Sequence, residues 1–393
     1  MSDYVLYRVK ATLLTPLHIG NGRELLHEYD YAIHNGRTWR INEAALLDAQ
    51  DVDDAALASK LAALKPASLL KPPADFRVET GYFRYVIQGT PRSQAPGAQL
   101  REQLKDVYDR PYLPGSSLKG ALRTGLAWFA WRQGRLTPQL KDLGRRREWA
   151  AQGYEHMLFG PNPNHDALRA LQVSDSQPVG ADRLMLVNAR VLGRGGGLGS
   201  PIELEAVRPE TVFELTLKVD QALFSAWARE ARLNLPGEDW FSRLAEIMRA
   251  HALQRIQREA SWFQAIPGAA RLAEFYRGLS QAKLPNNHFL VQVGWGAGWE
   301  AKTLGLHFQK DPAFMERIIG DYRLARGKRK VGDPFPKSRR VAVRVERGPN
   351  GERRETPASP LGWMLVELKG DRGERPDGGD AAAARVGGAV GIG

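Results

Sequence analysis

Pro114-Gly115-Ser116-Ser117, followed by Lys119 and Arg123, is the segment whose residue types and spacing most directly suggest chemistry. Small residues let a backbone approach a ligand closely, and the N–H groups at a helix start attract anions. Lys119 and Arg123 stand one helical turn apart, so both can face a phosphate held there. The same residues also read as a serine-capped helix with two solvated cations. Two glycine-rich stretches, Gly193 to Gly199 and Gly294 to Gly298, pose a similar alternative. Neither fits the phosphate loop Gly-x-x-x-x-Gly-Lys-Ser/Thr or opens a dinucleotide unit, which argues against a nucleotide cofactor. Arg194, Gly195, Gly196, Trp295, Trp299 and Lys302 supply the charge, close backbone and stacking surface that single-stranded RNA uses. Each stretch reads equally as a flexible turn.

A basic block between Arg323 and Arg347 contains Lys328, Arg329, Lys330, Lys337, Arg339, Arg340 and Arg344, with few acids to balance it. Pro334, Phe335 and Pro336 interrupt it, so it is no simple charged helix, and contact with an RNA backbone is the favoured reading over a solvated surface. For catalysis the inventory is thin. His18, His27 and His34 lie near Glu24, Glu28 and Asp30, which leaves a ribonuclease open. No spaced ligand set such as His-Glu-x-x-His is present, so no metal or cofactor is expected.

Elements must position these segments. Residues 5–13 alternate apolar and polar with the period of a half-buried strand, and run into the loop Thr15-Pro16-Leu17-His18-Ile19-Gly20-Asn21-Gly22. A helix-like stretch spans 43–64. Residues 65–110 read as a long excursion containing an aromatic strand-like piece, 76–87. Leu118, Leu122, Leu126 and Phe129 lie on one face of a helix that begins near Ser117. Short strands follow at 171–176 and 184–191, and an alternating strand at 213–219. Helical periodicity dominates 221–281, and strands are expected at 289–293, 340–345 and 363–368. Strands and helices mix without regular alternation, which indicates an α+β fold of two ferredoxin-like domains, with a hairpin insertion and a helical insertion. The expected division is 1–205 and 206–369, with the insertions at 65–110 and 221–281. A tail at 370–393, poor in large apolar residues, is expected to be disordered.

The net charge of +12 points to a polyanionic partner, and the arginines that carry much of the surplus can both pair with phosphate and stack on bases. With no cysteine, disulfides, thiolate nucleophiles and cysteine zinc sites are excluded. No apolar run reaches membrane-spanning length and the N-terminus lacks the pattern of a signal peptide, so a cytoplasmic protein without membrane contact is expected.

Taken together, Thr15 to Gly22, the run from Pro111 to Thr124, Val173-Ser174-Asp175-Ser176 and the glycine loop ending at Lys302-Thr303 resemble the RAMP proteins of CRISPR systems, which are built from RRM-like ferredoxin folds. The length, the 294–303 loop, Phe335-Pro336-Lys337-Ser338-Arg339-Arg340 and Pro360-Leu361-Gly362-Trp363 look like the fifth subunit of the type III-A (Csm) complex. That resemblance implies a non-catalytic subunit at the end of the backbone filament, where it holds the 3′ part of the guide RNA (crRNA) and supports its maturation in antiviral defence. It implies as partners crRNA, target RNA, the backbone RAMP subunit and the small helical subunit, together with host ribonucleases. The RNA-binding set is then His18, Gly20, Gly22, Ser116, Ser117, Lys119, Arg123, Arg194, Gly195, Gly196, Trp295, Lys302, Lys337, Arg339 and Arg340. By the same analogy 65–110 is a thumb that wedges Tyr82, Phe83, Arg84 and Tyr85 into the guide–target duplex. The alternative is a RAMP endoribonuclease that processes crRNA through His18 or cuts target RNA through Asp30. A polyanion-binding enzyme acting on a small molecule is a third reading.

Overall fold

The computed structural model describes residues 4–50, 64–325, 327–347 and 352–370. The predicted tail beyond 370 and the middle of the predicted 43–64 helix lie outside the described residues; the helix observed there is Glu43–Asp48.

Fourteen strands are described: β1 (Tyr4–Leu13), β2 (Gly20–Leu26), β3 (Tyr31–His34), β4 (Arg37–Ile41), β5 (Phe83–Gln88), β6 (Gln99–Gln103), β7 (Leu171–Val173), β8 (Leu184–Gly193), β9 (Ile202–Val207), β10 (Val212–Asp220), β11 (His288–Gln292), β12 (Ser338–Arg347), β13 (Arg353–Ser359) and β14 (Trp363–Gly370). They form a five-stranded sheet in the order β11-β14-β1-β10-β7, a six-stranded sheet β13-β12-β8-β9-β6-β2 and a small sheet β3-β4-β5.

Within the first sheet every neighbouring pair is antiparallel. The helix Gly115–Gln133 lies in the connection from β1 to β7, and Leu244–Gln264 in the connection leaving β10. The order β14-β1-β10-β7 with these two helices is the βαββαβ arrangement of a ferredoxin-like unit. Val9, Ala11 and Leu13 of β1 alternate inward with Phe213, Leu215 and Leu217 of β10, and join Leu118, Leu122, Leu126, Ile247 and Met248 of the helices in one core. That alternation is the pattern visible in residues 5–13 and 213–219.

The expectation of two successive ferredoxin-like domains needs correction. One sheet has that order, and it takes strands from both ends of the chain. The six-stranded sheet likewise combines β2, β6, β8 and β9 with β12 and β13. The division expected at 205/206 falls inside β9 and coincides with no division between sheets.

The 65–110 hairpin is also not formed. β5 pairs with β4, whereas β6 pairs with β2 and β9. Because β2 and β6 pair with each other, the described residues between 27 and 98 stand as an insertion on that stem, and Ala32, Trp39, Ile41, Leu46, Leu70 and Phe83 give them a core of their own. The expected helical stretch at 221–281 is seen as Ala226–Glu230, Glu238–Ser242, Leu244–Gln264 and Ala270–Gln281, with breaks near Pro236 and Pro267.

Candidate nucleic-acid interface

Three loops far apart in sequence interlock between the large sheets. The Trp295 amide donates to the His18 carbonyl at 2.8 Å, and the Gly362 amide donates to the Pro16 carbonyl at 2.9 Å. The Val293 amide then donates to the Gly362 carbonyl at 2.9 Å. Gly294 adopts φ +78°, and a Cβ there would lie 2.5 Å from the His18 carbonyl oxygen. The glycine serves close packing of one loop on another at this point, rather than a bound molecule.

This junction carries Trp295, whose side chain packs against an apolar cluster that includes Val187 and Leu204 of the six-stranded sheet and Leu361 of the turn between β13 and β14. The Arg340 guanidinium from β12 lies 4.5 Å from its ring centre, and that of Arg101 from β6 lies at 5.4 Å. Each cation–π contact holds a guanidinium at the surface in a defined place. Arg101 faces Glu24 across the β2–β6 pair, so the group continues into Gly20 to Glu24, an exposed edge-strand segment in which Gly22 takes φ +88°. Lys302 lies near Arg340, and burial of its ammonium, with the neighbouring arginine, lowers its pKa. The result is an arginine–tryptophan–arginine surface beside an exposed backbone edge, the elements from which phosphate pairing and base stacking are made. Arg101 was not legible in the sequence: it is one charged residue in a short strand, and only the pairing brings it to Trp295.

The remaining site residues are distributed more widely than expected. The start of the Gly115–Gln133 helix is already occupied by a carboxylate, since the Gly115 amide donates to Asp175 Oδ1 at 2.7 Å. A Cβ on Gly115 would lie 2.3 Å from the Val173 carbonyl oxygen, so its smallness serves strand β7. Ser116 is exposed and Ser117 half-buried on the first turn. The expected phosphate grip by that helix start is therefore corrected to an internal carboxylate contact. Arg123 pairs with Asp166 at 2.8 Å and Glu155 at 3.0 Å, and lies over Phe159. Lys119 has its pKa lowered by burial, outweighing Asp166, and shares with Arg123 a separate cleft of about 550 Å³.

His18 is buried at 2% exposure and hydrogen-bonds through Nδ1 to the Glu205 carbonyl at 2.7 Å. Burial, reinforced by Arg101 and Lys105, lowers its pKa to about 4. It is thus corrected from an RNA contact to a residue inside the loop junction, and neither its accessibility nor its basicity suits a general base. Asp30 Oδ2 accepts from the Leu26 amide and Oδ1 from Arg23, both at 2.9 Å, with Arg40 at 3.3 Å, so it closes a turn. His27 stacks on Tyr31 and His34 on Phe76, in separate packing sites.

Arg339 donates to both carboxylate oxygens of Glu259 at 2.9 Å, and its side chain is 14% exposed; Lys337 pairs with Asp333 at 2.6 Å. Neither is the open backbone contact that was expected. Arg194 and Gly195 are exposed in the turn that ends β8, while Gly196 packs against the Pro267 carbonyl. The four thumb residues are corrected as well. Phe83 is in the core of the insertion with Tyr82 beside it, Arg84 pairs with Asp109 at 2.7 Å, and the Tyr85 hydroxyl donates to Glu205 at 2.7 Å. Phe83-x-Tyr85-x-Ile87 is the buried face of a strand, so these rings are unavailable to wedge between bases.

Among the described residues no group of three or more acidic or histidine side chains could hold a metal ion, and no helix is long and apolar enough to cross a membrane.

The model of the RAMP superfamily matches residues 10–300, which carry most of the ferredoxin-like sheet and two of the interlocking loops. The chain belongs to that family. The CRISPR system Cms protein Csm5 of Streptococcus thermophilus is 27% identical over 249 residues, 56% of this chain and 66% of the relative. The chain thus matches just under two thirds of that relative's length. Among solved structures, a chain of a type III-A Csm–crRNA–target RNA ternary complex superposes with a TM-score of 0.62 at 24% identity, covering 92% of this chain and all of the other. Csm5 from T. onnurineus gives 0.58 at 22% identity, covering 91% and 99%. Both show the fold.

Proposed function

We propose that this chain is the guide-RNA-binding subunit that caps the crRNA 3′ side of a type III-A Csm backbone, and that it acts there without cutting RNA. Its contacts with RNA run over Arg340, Trp295, Arg101 and Lys302 to the exposed edge at Gly20 to Glu24. The observation that carries this reading is that the Arg340 and Arg101 guanidiniums both lie beside Trp295 at the loop junction, in a chain related to Csm5. Arginine forks recognise phosphate, and a flanked aromatic face accepts a base irrespective of its identity. A guide held by its backbone needs both. The backbone RAMP subunit, the small helical subunit and recruited host ribonucleases are the protein partners this role calls for. The burial of His18 and the turn-closing bonds of Asp30 argue against the endoribonuclease alternative.

Reconstitution tests the proposal. The chain is mixed with labelled crRNA and the other Csm subunits, and assembly, 3′-end protection and cleavage are followed on gels. The expected result is incorporation with protection of the crRNA 3′ portion and no cleavage by the chain alone. Specific cleavage lost in His18→Ala or Asp30→Ala would overturn it.

A further inference from the structure

The basic run Arg145-Arg146-Arg147 lies between the helices Gly115–Gln133 and Gln152–Phe159, and it has no part in the contacts assigned above. All three residues are exposed, and among the described residues none of their guanidiniums has an ion-pair partner. The loop that presents them is closed tightly. The Gly144 amide donates to the Ala150 carbonyl at 3.2 Å, the Trp149 amide to the Arg146 carbonyl at 3.0 Å, and the Tyr322 hydroxyl to the Gly144 carbonyl at 2.6 Å. A Cβ on Gly144 would lie 2.1 Å from the Trp149 carbonyl oxygen, so the closure requires glycine there. The same loop leaves Trp149 57% exposed. An indole left in water beside three unpaired guanidiniums is a combination that stacks a base and pairs phosphates, and a closed loop presents it at little ordering cost.

The loop also borders two clefts. Lys302 and Trp299 line one of about 430 Å³, together with Arg147. Trp149 lines the other, of about 550 Å³, with Lys119 and Arg169. Arg123, Glu148, Ala151 and Glu155 line both, so the clefts adjoin at the Arg123–Glu155 ion pair. Lys302 in turn neighbours Arg340, which makes the groove continuous with the Trp295 surface. Charge along it suits a polyanion: Lys119, Arg123, Arg145, Arg146, Arg147 and Arg169 outnumber Glu148, Glu155 and Asp166, and Arg123 already pairs with the last two. Resting on the RNA-binding reading above, we propose that this groove is a second RNA tract, which takes the single-stranded stretch that runs on past Lys302. Arg145, Arg146 and Arg147 pair with its phosphates, and Trp149 stacks on one base without selecting which. The tract prefers single-stranded RNA to duplex, whose bases are not free to stack on the indole. The exposed indole and the continuity with Lys302 favour RNA over an acidic protein segment.

The test is fluorescence anisotropy of the full chain, across a salt series, with an unstructured RNA of about thirty nucleotides and with the same sequence as a duplex. The variants are Arg145→Ala/Arg146→Ala/Arg147→Ala, Trp149→Ala, and a charge-matched control in other exposed residues, Arg232→Ala/Arg277→Ala/Lys283→Ala, each checked by thermal melting. The triple loop variant should lower the slope of log affinity against log salt by about 2, from about 0.7 for each lost phosphate contact. Trp149→Ala should weaken the single strand by about fivefold or more and leave the duplex unchanged, while the control keeps the parental slope. Parental affinity and slope in the loop variants, with Arg340→Ala still weakening binding, would overturn the tract and leave RNA binding standing. Equal losses in the loop and control variants would reduce the effect to net charge and overturn it as well; no affinity of the parent for RNA would overturn both readings. If peptides spanning 144–150 in the assembled complex are shielded from hydrogen exchange by another Csm subunit and not by RNA, a protein is the occupant and the proposal falls.

Discussion

The Gly115 amide is bonded to the Asp175 carboxylate at 2.7 Å, across sixty residues of sequence. The two segments are latched twice more, because the Leu113 amide donates to Ser176 Oγ at 2.9 Å and the Ser176 amide to the Leu113 carbonyl at 3.0 Å. Two of the stretches that mark the family in sequence are thus one structural joint, holding the first crossover helix to β7. Asp175→Ala should lower stability by about 1–2 kcal/mol, as for loss of a helix cap, and leave RNA affinity unchanged. Gly115→Ala should cost more, about 3 kcal/mol, because its Cβ has the Val173 carbonyl in the way. Urea midpoints and anisotropy read the two effects separately; tighter RNA binding by folded Asp175→Ala would restore the anion-site reading.

The buried histidines make stability fall in acid. Burial lowers the pKa of His18 to about 4, of His307 to about 4 and of His251 to about 3. The unfolded chain therefore binds more protons than the folded one between the ordinary histidine value near 6.5 and these lower values, and stability rises with pH across that window. Denaturant midpoints should be flat above about pH 7 and drop steeply as pH falls through 6 towards 4. A flat profile over that range would contradict the burial of these rings.

Tyr85 separates a structural from an RNA-wedging insertion. Its hydroxyl and the Lys105 ammonium, at 2.6 Å, both contact the buried Glu205 carboxylate. Tyr85→Phe removes a hydrogen bond to a charge and should cost about 1.5–3 kcal/mol. Lys105→Met strands the carboxylate and should cost about 3–5 kcal/mol. Below the melting temperature Tyr85→Phe should bind RNA as the parent does. Reduced target-duplex binding with unaltered melting would instead make the strand a wedge.

How much of this was legible follows from the range of the interactions. The alternation in 5–13 and 213–219, and the apolar face of 118–129, are local patterns, so the strands and helix of the main core could be read directly. The membership of strands in sheets could not. β9 and β13 pair with the strands just before them, but β8 is joined to β12 and β9 to β6 across distant stretches of sequence, and β2 has an exposed, glycine-containing edge with no alternation. For the same reason the loops were recognised as important but misread one by one. A glycine packing on a carbonyl and a glycine approaching a phosphate have the same sequence. Arg339 and Arg340 are adjacent, yet one pairs with Glu259 in the interior and the other lies over Trp295, because neighbouring side chains on a strand point to opposite faces.

That last contrast yields a direct test of where RNA runs. Arg340→Ala and Arg101→Ala should each weaken RNA binding uniformly across sequences. Each lost phosphate contact should reduce the slope of log affinity against log salt by about 0.7 for single-stranded RNA. Trp295→Ala should lower affinity by about 1–3 kcal/mol through lost stacking while changing the salt slope little. Arg339→Ala should behave differently again: it leaves Glu259 buried at 7% exposure without its paired guanidinium, so stability falls by about 3–5 kcal/mol. Its RNA salt slope, measured well below melting, should match the parent. Titrations at three or more salt concentrations distinguish these outcomes. If Arg339→Ala lowered the slope and Arg340→Ala did not, the guide would pass over the opposite face of β12.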